Sequence, residues 1–374
     1  MYGMLSIGGK YKLVLTAILL IALLAAPLLL SEFRLGLLGK FLAFAILAIG
    51  LDLIWGYTGI LSLGHGVFFG LGAYAMAMHL KLAASGGELP DFMSWSGVET
   101  LPWFWVPFHS AGLAVLLAIA IPVLAALLIG YFTFRNRIRG SFFSILTQAT
   151  VIIAVTLFVG QQGYTGGTNG LTNFSTFLGF SLSDPVVKRM LYIATVLILG
   201  LVLLASLKLA SGKLGNILIA IRDAENRVRF LGYNPVTYKL FIYCVSAALA
   251  GIAGILFVLQ EGIISPAQMG IVPSIEMVLW VAIGGRGTLF GAVIGALLTN
   301  TAKTTLSEAY PEWWPIVIGA LFIIATMLLP QGIAGALSGW IQRYRVQRGN
   351  RRQPVRPAAA LASSGLAEPG PEQS

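Results

Sequence analysis

Apolar residues in this chain come in long unbroken runs rather than in alternation or in single-faced stripes. The first is 13-LVLTAILLIALLAAPLLL-30, and others follow at 37–55, 59–80, 110–134, 141–159, 190–210, 239–259, 272–285, 288–306 and 314–330. A hydrocarbon core about 30 Å thick takes ~20 residues of helix. The pattern therefore predicts an all-α, polytopic membrane helix bundle of about ten transmembrane helices, with glycine-broken segments in both halves. Ten-residue alternating strands, the mark of a membrane barrel, are absent. The run at 13–30 follows Lys10 and Lys12 like a signal peptide, but no small-residue cleavage site stands out and another span comes at once, so an uncleaved helix is expected. The runs 272–285 and 288–306 are short and meet at 284-GGRG-287, which fits two spans, one broken span or a re-entrant hairpin.

The pattern changes once, between 190–210 and 239–259. There 216-NILIAIRDAENRVRFLG-232 reads as a short amphipathic helix, with Ile217, Ala220, Ile221, Ala224 and Val228 on one stripe. Arg222, Asp223, Glu225 and Arg229 sit elsewhere on it, and Gly232 and Pro235 end it. Such a helix can lie on lipid or lay its stripe in the groove of a soluble protein. Its physics leaves both open.

Composition sharpens the class. Of 374 residues 57% are hydrophobic and 10% charged, where a soluble domain carries about 25% charged. The single cysteine, Cys244, rules out an internal disulfide. The net charge of +10 reads as topology rather than as a nucleic-acid patch. With the N-terminus in the cytoplasm, 18 of the 24 lysines and arginines fall on the cytoplasmic side, as the positive-inside rule asks. Both termini are then cytoplasmic. The expected layout is a transmembrane domain over 1–340, a cytoplasmic loop at 211–238, extracytoplasmic loops at 81–109 and 160–187, and a basic, then disordered tail at 341–374. Trp95, Trp103 and Trp105 in the first outer loop fit an interfacial belt or a docking surface.

Candidate chemistry is sparse. His65, His79 and His109 form no HExxH pair, and no Cys/His cluster has metal spacing. The segment 36-GLLGK-40 lacks a phosphate loop's spacing, with Arg34 in place of its first glycine and Phe41 after the lysine. In 64-GHGVFFG-70 the last glycine comes one residue late for a dinucleotide fingerprint. No metal or cofactor is therefore expected in this chain. Polar groups inside the spans are candidates for a substrate path: Asp52, Ser62, His65, Thr147, Gln148, Glu276 and Asn300, with Gln260 and Thr299 beside them. An ionised group at mid-membrane costs about 2.5–3.5 kcal/mol on insertion scales, so Asp52 and Glu276 should face protein or water. Each is also open to a reading as glue between helices, and His65 as the cap of a broken helix. The glycine-rich stretches 56–74 and 284–298 echo each other, as in transporters with sites at mid-membrane depth, or as small-residue packing faces.

The run 215-GNILIAIRDAENRVRFLGYNPVTYKLFIYCVSAALAGIAGILF-257 resembles the coupling loop and following helix of the permease subunits of branched-chain amino-acid-type ABC transporters. The likeness rests on Gly215, Ala220-Ile221-Arg222, Asp223, Glu225, Leu231-Gly232, Ser246-Ala247, Ala250-Gly251 and Ala253-Gly254. The stretches 56–74, 284–296 and 328-LLPQGIAG-335 extend it to roughly 40–335. The resemblance implies that Gly215, Ala220, Ile221, Arg222, Asp223, Glu225, Arg229 and Gly232 belong to a lever docked on a separate ATPase, where ATP and magnesium bind. It also implies two ATP-binding cassette subunits, a second homologous permease, an extracytoplasmic solute-binding protein, no nucleic acid, and a place in a bacterial inner membrane. The stretches 89-LPDFMSW-95, 101-LPWFWVPF-108, 137-RIRGSFFSILTQA-149 and 169-NGLTNF-174 look like the urea-type permease of the C kind, so urea or a short amide is the expected cargo. Branched-chain amino acids are the alternative, and a passive solute channel the reading from another class. Urea needs carbonyl, amide or carboxylate acceptors and a donor. An amino acid also needs its carboxylate neutralised, for instance by a half-helix N-terminus.

Overall fold

The computed structural model describes residues 9–310 apart from 139 and 175, then 312, 313, 316, 317, 319, 320, 323 and 332–335, and for 9–13 the backbone alone. The expected tail at 341–374, Arg139 and most of the expected span 314–330 lie outside the described residues. The apolar runs are helices: α1 Gly9–Leu29, α2 Glu32–Thr58, α3 His65–Ala84, α5 Ala111–Arg135, α6 Ser141–Gly160, α8 Pro185–Ser211 and α10 Pro235–Glu261. The short α4 Asp91–Trp95 and α7 Gln162–Thr165 lie in the loops, α9 Lys213–Phe230 is the amphipathic insert, and α11 Ile271–Gly284 and α12 Leu289–Ala309 follow. Among the described residues six helices are long and apolar enough to cross a membrane, seven if α11 and α12 count as one span. That pair bends by 120° at 284-GGRG-287. Among the described residues a two-stranded hairpin, β1 Thr176–Phe177 with β2 Phe180–Ser181, and a single antiparallel bridge between Leu171 and Ile264 are the small departures from all-α; Thr176 faces Ser181 and Phe177 faces Phe180.

Burial sorts the helices into two rings. In α2, α3 and α10 the most apolar stretch is 78%, 83% and 78% buried; in α5 and α6 it is 22% and 17%. The first three are the centre, and small residues bring them together. A Cβ at Gly254 of α10 would collide with the Phe69 carbonyl of α3, and one at Gly72 with Gly251. Backbones approach this closely in membranes because dispersion, rather than the hydrophobic effect, joins helices there. Around the centre, Tyr192 of α8 donates to the Leu23 carbonyl of α1 at 2.9 Å.

Two central helices end in the same way. α2 stops at Gly59 (φ 77°) and α10 at Gly262 (φ 73°), a left-handed cap that glycine adopts without Cβ strain. Non-helical segments follow, and then α3 and α11 start. The segments open alike, 59-GILS-62 and 262-GIIS-265. Arg222 of α9 touches the end of α2, and α10 begins just after α9, so the two helix–break–helix units run in opposite senses. This is an inverted repeat of the kind transporters build at their centres. It corrects the expected pairing of 56–74 with 284–298. The glycines of the second stretch serve instead to seat α12 on α11, Gly295 lying against the Trp280 carbonyl and Gly291 against that of Gly284.

Candidate functional site

The first break is held by side chains. Gly64 N–H reaches Ser62 Oγ (3.4 Å), Ser62 Oγ lies 2.9 Å from His65 Nδ1, His65 Nε2 lies 2.6 Å from Ser246 Oγ, and Ser246 Oγ donates to the Gly50 carbonyl (2.6 Å). A hydroxyl has one proton. Ser246 gives its own to Gly50, so it accepts from Nε2–H, and in a neutral ring Nδ1 accepts from Ser62. His65, buried between three central helices, thus carries a proton on Nε2 and caps a broken helix. From α6, Thr147 Oγ1 accepts Leu63 N–H (3.1 Å) and Ser144 Oγ donates to the Leu61 carbonyl (2.8 Å). Ser246 lies eleven residues into α10 and Gly50 eight before the end of α2. At 1.5 Å per residue these are about 16 and 12 Å from the helix ends, near the middle of a bilayer core.

The second break is held by backbone. Leu171 and Ile264 exchange both N–H···O bonds (2.8 and 3.1 Å), and the turn at Pro266–Met269 closes with a capping box between Ser265 and Gln268. Lys81 secures that outer loop, its Nζ donating to the Thr172 carbonyl (2.9 Å) and pairing with Asp91 Oδ1 (2.8 Å). Trp105 Nε1 donates to the Tyr164 carbonyl (3.1 Å), so the two outer loops form one surface. The two breaks meet: a Cβ on Gly66, second residue of α3, would lie 2.5 Å from Ser274 Oγ and 2.9 Å from the Met269 carbonyl.

Of the expected path residues, Ser62, His65 and Thr147 thus converge on one break. Gln148, next to Thr147 on α6, is half-buried. Asp52 stands apart, at the α9 end, where its Oδ1 accepts Gly287 N–H (2.6 Å) and its Oδ2, fully buried, has no partner. Glu276 spends both oxygens on Lys303 of α12 (2.8 and 2.6 Å), and Asn300 donates to the Ala296 carbonyl (2.8 Å). Gln260 donates to Thr195 of α8 (2.8 Å). Ser274 was missed by sequence reasoning. Nothing in its own sequence context marks it, since the repeated G-I-L/I-S carries Ser62 and Ser265 instead.

α9 carries the expected lever residues. Its buried face is Gly215, Leu218, Ile221 and Val228, which shifts the expected stripe: Ala220 is exposed and Ile217 half-buried, and Leu218 buries more apolar surface than Ala220 would in its place. The backbone leaves helical geometry at Ala224 (φ −154°, ψ 65°). Arg222 turns inward, its Nη1 donating to the Gly56 carbonyl (2.7 Å) and its Nε pairing with Asp223 (2.9 Å). Arg286 donates to the Trp55 carbonyl (3.2 Å). Two guanidinium groups thus hold the C-terminal carbonyls of α2, where the helix dipole favours cations. Glu225 pairs with Arg229 (3.1 Å) and Lys239 (2.7 Å). The other face is open. Asp223 is exposed, and Phe230, 91% exposed, and Leu231 lead to Gly232.

The sequence profile of the family described as "Branched-chain amino acid transport system / permease component" matches residues 33–326. Similar curated proteins include the high-affinity branched-chain amino acid transport system permease proteins LivM of Salmonella typhimurium and of Escherichia coli, each 28% identical over 87% of this chain and 75% of theirs. LivH of Salmonella typhimurium is 25% identical over 78% of this chain and 91% of its own. The autoinducer 2 import system permease protein LsrC of Yersinia enterocolitica is 28% identical over 49% and 52%. No solved structure matches.

Proposed function

The chain belongs to the branched-chain amino acid transport system permease family, and on that premise we propose that it is a membrane-spanning subunit of an ATP-driven importer of branched-chain amino acids. Amino acids replace urea as the leading cargo because LivM and LivH bear amino-acid names and because α3 and α11 start inside the bundle, the half-helix N-termini that a carboxylate calls for. Urea would have no use for them.

The observation that carries the ATP-driven reading is the two-sided construction of α9. One side grips the end of α2 through Arg222 and the Gly56 carbonyl. The other presents Ala220, Asp223, Asn226, Phe230 and Leu231 to whatever lies beyond the bundle. A push on that outer side reaches α2 directly above its break at Gly59. In this reading two ATP-binding cassette subunits bind ATP and magnesium and take α9 in a cleft. A second, homologous permease completes the path, and a solute-binding protein delivers cargo to the joined outer loops. The α9 end is cytoplasmic, in a bacterial plasma membrane.

The test uses the complete transporter in proteoliposomes. Arg222→Glu and Glu225→Arg should each abolish substrate-stimulated ATP hydrolysis while the subunit still inserts and assembles. Normal stimulation in both variants would overturn the lever. Labelled leucine uptake, competed by valine and not by urea, is the expected cargo result; the reverse pattern restores urea.

A further inference from the structure

We propose that the abutting first turns of α3 and α11 form the subsite that takes the carboxylate of the translocated amino acid, with Ser274 as its side-chain donor; this rests on the amino-acid reading above. The first turn of a helix leaves N–H groups without intrahelical acceptors. In α3, Gly64 N–H goes to Ser62 Oγ and Val67 N–H to the Gly64 carbonyl, which leaves His65 and Gly66. In α11, Gly270 N–H goes to the Ala267 carbonyl and Pro273 has none, which leaves Ile271 and Val272. Four backbone donors and two positive helix ends thus meet near mid-membrane depth, a ready-made anion site.

Ser274 supplies the independent sign of a ligand. It is 2% exposed, and its Oγ has no hydrogen-bond partner although it points at the first turn of α3. An unpaired hydroxyl in such a place weakens the fold unless something else uses it. Other polar groups nearby are committed: both ring nitrogens of His65 are taken by Ser62 and Ser246, and Glu276 is taken by Lys303. No lysine or arginine occurs in 59–80 or 262–277, so the dipoles and the hydroxyl are the neutralising groups. The Met269 carbonyl at the same contact offers an acceptor for the ammonium. Val272, 63% exposed, marks the side from which the start of α11 is reached. In this closed arrangement Gly66 fills the space beside Ser274, and parting of the two first turns admits the carboxylate.

The experiment is leucine uptake by the complete reconstituted transporter, with Ser274→Ala, Ser274→Thr, and the probes L-leucine, leucinamide and urea. Ser274→Ala should raise KM for leucine about tenfold, as expected for a lost hydrogen bond to a charged group, and Ser274→Thr should restore it. Leucinamide, which lacks the carboxylate, should be a poor substrate of the wild type and indifferent to either change. Thermal stability of Ser274→Ala should equal or exceed that of the wild type, since an unsatisfied hydroxyl is removed. An unchanged leucine KM, or a drop in stability showing that the hydroxyl serves the fold, overturns the subsite and leaves the amino-acid permease standing. Wild-type uptake of urea with none of leucine overturns the amino-acid reading and the subsite with it.

Discussion

The two breaks at the centre of the bundle start from the same four-residue pattern and are secured by different means. At 59–65 a chain of side-chain bonds runs from Gly64 through Ser62, His65 and Ser246 to Gly50, with Ser144 and Thr147 of α6 holding the backbone. At 262–271 a backbone bridge to Leu171 and one capping box carry the load, and Ser274 is left unpaired. A buried network with every member satisfied fixes one geometry. A segment tied mainly to a loop can move with that loop. The contrast teaches which break is the firmer post and which the looser: the start of α3 is anchored to α2, α6 and α10, whereas the segment leading into α11 is tied to the outer loop.

The largest expected effect breaks this comparison outright. His65→Ala removes the middle of the chain, leaves the Ser62 proton without its acceptor and opens a cavity, at a cost of about 3 kcal/mol or more. The counterpart change, Gln268→Ala, deletes one arm of the capping box on a half-buried turn and should cost about 1 kcal/mol. Thermal unfolding of the purified subunit in detergent reads both. Equal losses would mean that the second break is as rigid as the first.

A subtler pair separates strain from transmission. Gly59→Ala and Gly262→Ala each place a side chain in left-handed geometry at about 1–2 kcal/mol, and Gly59→Ala should cost more than Gly262→Ala because it also disturbs the Arg222 hydrogen bond to the Gly56 carbonyl. Their surroundings differ. A Cβ at Gly262 meets open space, while one at Gly59 lies 2.8 Å from Cγ of Arg222. Gly59→Ala should therefore also weaken substrate-stimulated ATP hydrolysis by displacing Arg222 from the Gly56 carbonyl, and Gly262→Ala should not. Identical ATPase behaviour would mean that the Arg222 contact carries no signal.

The sequence discloses elements more readily than partners. Long apolar runs placed nearly every described helix within a few residues, because a bilayer sets helix length. The insert at 216–232 stood out by charge alone. The inverted repeat did not, since its sequence trace is four residues long and glycine density drew attention to 284–298, where the glycines pack one helix on the next. Arg222 was expected on the lever from its sequence context, but its inward turn depended on the α2 carbonyl at 56 meeting it from 166 residues away. Asp52 and Glu276 were conspicuous as acids in oil. Their partners, Gly287 N–H and Lys303, come from segments that only the folded chain brings near. Ser274 was invisible for the opposite reason: a serine is cheap in a membrane helix, and only its lack of a partner makes it notable.

The smallest expected effect sharpens the claim that the second break leans on the outer surface. Lys81 holds both Asp91 and the Thr172 carbonyl, and Thr172 adjoins Leu171, which bridges to Ile264. Partial burial raises the Asp91 carboxyl, but the hydrogen bonds from Lys81 and the Phe92 N–H and the charge of Lys81 outweigh it, so its pKa lies below the ordinary 3.8. A group depressed on folding contributes stability that is complete above its unfolded pKa and is lost as pH falls through its folded one. The advantage of the wild type over Asp91→Asn should thus be small, constant from neutral pH down to about 5, and should vanish as pH drops below 3.8. Because the pair is partly solvated, screening keeps the effect modest, and raised salt should shrink it further. Melting curves of both proteins across that range decide the matter. A gap between them that persists below the folded pKa, or that opens only above neutral pH, would mean that Asp91 acts through something other than its charge, and the outer loop would lose its standing as the support of α11.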